Sequence, residues 1–124
     1  MNVVDSSGWL EYFANGSNAG FFAPAVEAVD RPIVPSICLL EVFKRVFQQR
    51  GEGDALEAVA VMQQGDVVSL DSSLAVSAAK TSLDLKLPLA DSIVLATARA
   101  RAAVVWTMDA DFKGLPGVKN IPKK

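Results

Sequence analysis

The sequence predicts an α/β fold of three layers, in which a short and mostly parallel central sheet is covered by helices on both faces. Three observations predict it. Short apolar runs of strand type alternate with longer stretches of helical periodicity, the pattern of strand–helix–strand units joined by right-handed crossovers. The chain has 124 residues and is 51% hydrophobic, enough for one sizeable core and too short for two, so residues 1–124 read as a single domain. No apolar stretch reaches membrane-spanning length and the start MNVVDSS has no leader character, so a soluble, cytoplasmic protein without membrane contact is expected.

Asn2 to Asp5 read as a first buried strand, and Asp5-Ser6-Ser7 is a helix-start signal followed by Trp9, Leu10, Tyr12 and Phe13. Asn15 to Asn18 break that pattern. A second helix is expected over Ala19 to Val29, with Pro24 blurring its start. Arg31 to Pro35 is extended between prolines, and Ser36 is expected to cap a helix reaching about Gln49, with Leu39, Val42, Phe43, Val46 and Phe47 as its apolar stripe. Arg50 to Asp54 reads as a linker and Ala55 to Gln64 as the next helix.

Asp66 to Leu70 is a third short strand, and Asp71-Ser72-Ser73 caps a helix to about Lys86. Leu87 to Ala100 follows as a helix buried nearly all round, with Pro88 in its first turn. Ala102 to Thr107 is the clearest strand, and Val118 to Ile121 closes the series.

Composition narrows the chemistry. There is no histidine, which excludes histidine general acid–base catalysis, Ser-His-Asp and Cys-His arrangements and histidine-ligated zinc. The single cysteine, Cys38, allows no internal disulfide and reads as core. A formal net charge of −2 gives no global attraction to nucleic acid, so binding of a polyanion would need local clusters or metal ions. If the chain is an enzyme, carboxylates do the work.

Asp91 is the pivotal residue. It interrupts an apolar helix, with Val94, Leu95 and Ala98 following at i+3, i+4 and i+7. Two readings stand: a first-turn acid favoured by the helix dipole, or a metal ligand in the company of other carboxylates. Glu41 is equally two-sided, since it can pair with Lys44 and Arg45 on an exposed face or point into a partly enclosed helix end. Asp5 and Asp109 each follow a strand, at the edge where open α/β sheets place their sites. Together Asp5, Glu41, Asp91 and Asp109 would make an all-oxygen site suited to Mg²⁺ or Mn²⁺, with Asp111 as a secondary member. Ser6 and Thr107 could orient a carboxylate through their hydroxyls, and Lys44, Arg45, Arg99 and Lys113 are candidate phosphate contacts.

The stretches VVDSSGWLEYF, PSICLLEVFKRV, LPLADSIVLATA and VVWTMDADFKGLPGV resemble the PIN domain, specifically the toxin of VapBC-type toxin–antitoxin pairs. The resemblance covers almost the whole chain and implies a PIN-like α/β/α fold. It assigns Asp5, Glu41, Asp91 and Asp109 to the four acidic metal positions and Asp111 to a less regular fifth. It implies a Mg²⁺/Mn²⁺-dependent endoribonuclease that activates water to leave 5′-phosphate and 3′-hydroxyl ends. It also implies a homodimer, and a VapB-type antitoxin that covers the acidic cleft and through which alone the toxin meets DNA. Trp9, Phe21 and Phe22 would suit such an interface or the core.

Two other acidic sites fit less well. Asp109-Ala110-Asp111 has the form of a haloacid-dehalogenase phosphatase motif, but too little chain follows it, and a receiver domain needs paired acids after the first strand. The rival of another class is a non-catalytic PIN-fold dimer that carries its antitoxin to operator DNA.

Overall fold

The computed structural model describes residues 1–124. Five strands, β1 (Asn2–Val4), β2 (Ile33–Pro35), β3 (Asp66–Val68), β4 (Val104–Thr107) and β5 (Val118–Asn120), form one sheet in the order β3-β2-β1-β4-β5. Every pairing is parallel. Six helices connect them: α1 (Ser6–Phe13), α2 (Ala19–Val26), α3 (Ser36–Arg50), α4 (Glu52–Met62), α5 (Ser72–Leu85) and α6 (Leu89–Ala100). Right-handed crossovers put α1 to α4 on one face and α5 with α6 on the other. Strand order runs outward from β1 through β2 to β3 and then returns to β4, so it reverses between β1 and β4.

Val3, Val4, Ile33, Val34 and Val105 are fully buried in the sheet, as expected for strands covered on both faces. α3 presents Cys38, Val42 and Val46 to this core, while Phe47 is exposed. α6 is enclosed on two sides: Val94, Leu95 and Ala98 join the main core and Ala96 packs on Leu74 and Ala78 of α5. Trp9 and Phe22 are core residues, 1% and 0% exposed, so they form no free interface; Phe21 is half-buried against Trp106.

Several boundaries differ from expectation for local reasons. Pro35, not Ser36, stands at the N-cap of α3, and the Ser36 hydroxyl instead accepts the Leu70 N–H at 3.3 Å. The expected linker after Arg50 shrinks to Gly51, whose φ of 94° lets α3 pass directly into α4. Glu52 and Asp54 then occupy the first turn of α4, where the helix dipole favours negative charge. α2 stops at Val26, three residues early, and Glu27 beyond it accepts the Tyr12 hydroxyl at 2.7 Å. No helix is long and apolar enough to cross a membrane.

Candidate functional site

The register of β1 on β4 pairs Val4 with Trp106, and the Asp5 N–H continues the ladder to the Trp106 carbonyl at 3.2 Å. The residues just beyond these two strands are therefore neighbours at the point where strand order reverses, the place where open α/β sheets form their sites. Asp5 caps α1, accepting the Gly8 N–H at 3.0 Å. It also accepts the Ser7 hydroxyl at 2.7 Å and the Thr107 hydroxyl at 2.6 Å. Burial raises its pKa, these three donors oppose the rise, and the charge of Asp109 adds to it.

Asp109 begins the loop after β4. Its Oδ1 accepts the Asp111 N–H at 2.9 Å, capping a single 3-10 turn over Ala110–Phe112. Its own N–H donates to the Thr107 hydroxyl at 2.9 Å, and its carbonyl accepts from the Asn120 side chain at 2.8 Å. Three fixed contacts thus hold the loop in place. Asp91 arrives from the opposite layer, in the first turn of α6 after Pro88.

Asp91, Asp109 and Asp111 each place a carboxylate oxygen within 4.8 Å of the others. The pKa of Asp91 is pushed up to about 8, first by burial and then by its contacts with Asp109 and the charges of Asp111 and Asp5. No cation relieves them: the only ion pairs, Arg50–Asp54 and Arg101–Asp66, involve none of these acids. Three clustered oxygen donors without a protein counter-charge fit a hard divalent cation such as Mg²⁺ or Mn²⁺.

Asp5 and Glu41 stand outside that closest triad. Glu41, half-buried on α3, accepts the Ser6 hydroxyl at 2.7 Å, and it forms no ion pair with Lys44 or Arg45. The exposed-pair reading of Glu41 therefore fails, because Ser6 claims the carboxylate from the side of the core. Lys44, Arg45 and Lys113 are exposed and unpaired, and Arg45 lines a cleft of about 540 Å³ that also reaches Ser7 and Met108. Arg99 is not brought to this edge. It lies in the last turn of α6, roughly 12 Å along the axis from Asp91, where the helix turns back to enter β4.

Two contributors escape the sequence reading. Ser7 passes for an ordinary residue of a helix start, and Asn120, on the last strand, has no local pattern that connects it with Asp109. The doublet Ser6-Ser7 after Asp5 is the one available signal, since a helix needs only one cap.

No curated protein matches the chain. Among solved structures, the fold is similar to that of a toxin–antitoxin complex from Klebsiella pneumoniae, with TM-score 0.79 and 23% identity over 96% of each chain. It is similar to VapC20 of Mycobacterium tuberculosis, a sarcin–ricin-loop-cleaving toxin, with TM-score 0.79 and 17% identity over 95% of this chain and 97% of that one. VapBC2 of Rickettsia felis, solved on a DNA fragment from its promoter, gives TM-score 0.74 and 12% identity over 96% of this chain and 97% of that one. The family model of the PIN domain matches residues 3–118, and the chain belongs to the PIN domain family.

Proposed function

We propose that the protein is a divalent-metal-dependent endoribonuclease acting as the toxin of a type II toxin–antitoxin pair. The observation that carries the reading is the triad of Asp91, Asp109 and Asp111, within 4.8 Å of one another and without a protein cation. These three carboxylates, with Asp5 beside them, would hold the ion. Bound there, Mg²⁺ or Mn²⁺ supplies Lewis-acid chemistry, lowering the pKa of water and neutralising charge on a phosphodiester.

The chain's own residues then divide the remaining work. Thr107 and Ser7 orient Asp5 and oppose the rise that burial imposes on its pKa, and Ser6 holds Glu41 where it can take a proton from an attacking water. Attack by water rather than by the ribose hydroxyl leaves 5′-phosphate and 3′-hydroxyl ends. Lys44, Arg45 and Lys113 are the cations we assign to RNA phosphates. A VapB-type antitoxin and a homodimer are the proposed partners, supported by the toxin–antitoxin assemblies that share this fold.

The test is digestion of total cellular RNA by the purified protein with Mn²⁺ or EDTA, followed by sequencing of fragment ends. Discrete Mn²⁺-dependent cuts with 5′-phosphates, lost in Asp91→Ala, are expected. Fragments ending in 2′,3′-cyclic phosphate would refute the mechanism, and a folded protein that binds no Mn²⁺ and cuts nothing would leave a scaffold for antitoxin and operator DNA.

A further inference from the structure

We propose that Ser7 is a positioning residue for the metal centre, fixing the Asp5 carboxylate so that Oδ2 is its one oxygen able to take a further partner. The inference rests on the metal-dependent reading above. Its basis is the inventory of donors around Asp5. Oδ1 accepts the Ser7 hydroxyl at 2.7 Å and the Gly8 N–H at 3.0 Å, which together use both of its lone pairs. Oδ2 accepts only the Thr107 hydroxyl at 2.6 Å and keeps one lone pair.

The Ser7 hydroxyl has a single proton, and the backbone N–H of Met108 that meets it can only donate, so the hydroxyl proton belongs to Asp5. Its oxygen is then free to accept, and it takes the Met108 N–H at 3.1 Å. Thr107 repeats the arrangement from the other side, donating to Oδ2 and accepting the Asp109 N–H at 2.9 Å. Two hydroxyls thus tie one carboxylate to consecutive backbone amides at the start of the loop that carries Asp109 and Asp111. Ser7 acts through both ends of this link. Removing it leaves Oδ1 held by the Gly8 N–H alone, lets the carboxylate turn, and leaves the Met108 N–H without its acceptor immediately before Asp109.

Residues that orient metal ligands typically change affinity by about 10- to 100-fold when replaced. The experiment titrates Mn²⁺ into wild type, Ser7→Ala, Ser7→Cys and Ser7→Thr, following free Mn²⁺ by electron paramagnetic resonance, and records Tm with and without the ion. Ser7→Ala is expected to weaken Mn²⁺ binding within that range and to shrink the Mn²⁺-induced rise in Tm. Ser7→Cys, close in size but a poorer donor, shifts the same way, and Ser7→Thr, which keeps the hydroxyl, retains most of the affinity. Wild-type Mn²⁺ affinity in folded Ser7→Ala or Ser7→Cys overturns the proposal, as does a fall in Tm that is equal with and without Mn²⁺. Absence of Mn²⁺ binding by wild type overturns the metal-dependent reading itself, a result separable from the first.

Discussion

Thr107 donates its hydroxyl proton to Asp5 Oδ2 at 2.6 Å from a position with no solvent exposure. The Thr107 hydroxyl oxygen in turn accepts the Asp109 N–H, so one side chain couples the acid after β1 to the acid after β4. Thr107→Val keeps the shape and removes the hydroxyl. A buried hydrogen bond to a charged group contributes about 1.5–3 kcal/mol, and the variant should lose a stability of that order. Urea unfolding at pH 7 in EDTA should show a lower midpoint with an unchanged slope.

Gly8 adds a steric constraint on the same acid. A Cβ there would lie 2.6 Å from Phe22 Cε1 and 2.7 Å from Val4 Cγ1, both in the core. Gly8→Ala should therefore destabilise the fold by about 1–3 kcal/mol through overpacking, and move the N–H that caps Asp5. Gly20→Ala in α2 meets nothing within 4 Å and should instead stabilise by roughly 0.5–1 kcal/mol. Thermal unfolding of the two variants should move in opposite directions.

Much of this architecture was legible in the residues. The strand–helix alternation, the placement of Asp5 and Asp109 beyond strands, and the burial around Val94, Leu95 and Ala98 all follow from local periodicity. The helix boundaries at Pro35 and Gly51 were less legible, because capping depends on backbone angles that proline and glycine permit without requiring. Glu41 shows the limit of pattern most clearly. Its helix neighbours Lys44 and Arg45 suggested surface pairs, whereas the partner that holds it, Ser6, lies 35 residues away in sequence. Arg99 shows the converse: it shares a helix with Asp91, but Asp91 lies in the first turn and Arg99 in the last, so the helix carries them towards opposite edges of the sheet.

That placement makes the cations separable by experiment. Charge reversal at Lys44 and Arg45 together should weaken binding to RNA and reduce the slope of log affinity against log salt by about one to two units. Mn²⁺ affinity should be nearly unchanged. Arg99→Glu, at the far edge, should leave both the affinity and the salt slope as in wild type. Filter binding in the inactive Asp91→Ala background, at several salt concentrations, checks the RNA affinities and slopes, and Mn²⁺ titration of the Lys44 and Arg45 variant with Asp91 intact checks the metal affinity.

Ser6 and Glu41 form a second coupled pair, independent of the Asp5 link. If Glu41 acts as a base, Glu41→Gln should lower the cleavage rate at saturating Mn²⁺ by about 10²–10⁴-fold. Ser6→Ala leaves the carboxylate in place but unanchored, so its effect should be smaller, and Ser6→Thr should recover most of the rate. Single-turnover cleavage of a defined RNA distinguishes these; equal losses in Ser6→Ala and Glu41→Gln would mean that Ser6 does more than orient Glu41.

The acidic cluster makes the metal-free protein sensitive to pH in a direction opposite to that of most carboxylates. Asp91 has its pKa raised from 3.8 to about 8, and that of Asp5 is raised as well. Between the unfolded and folded pKa values the native state binds the proton and the unfolded chain does not, so stability falls as pH rises. In EDTA the urea midpoint should therefore decline from about pH 4 towards pH 8 and then level off. Asp91→Asn removes one of these two contributors, and it should flatten that decline and raise the midpoint at pH 8. The same variant should lose Mn²⁺ binding and RNA cleavage together. Saturating Mn²⁺ should flatten the wild-type profile without mutation, because the bound cation replaces the proton as the counter-charge that the chain does not itself provide. A wild-type midpoint in EDTA that rises from pH 5 to pH 8 would show that Asp91 is ionised in the native state, and that its neighbours do not repel it as their spacing requires.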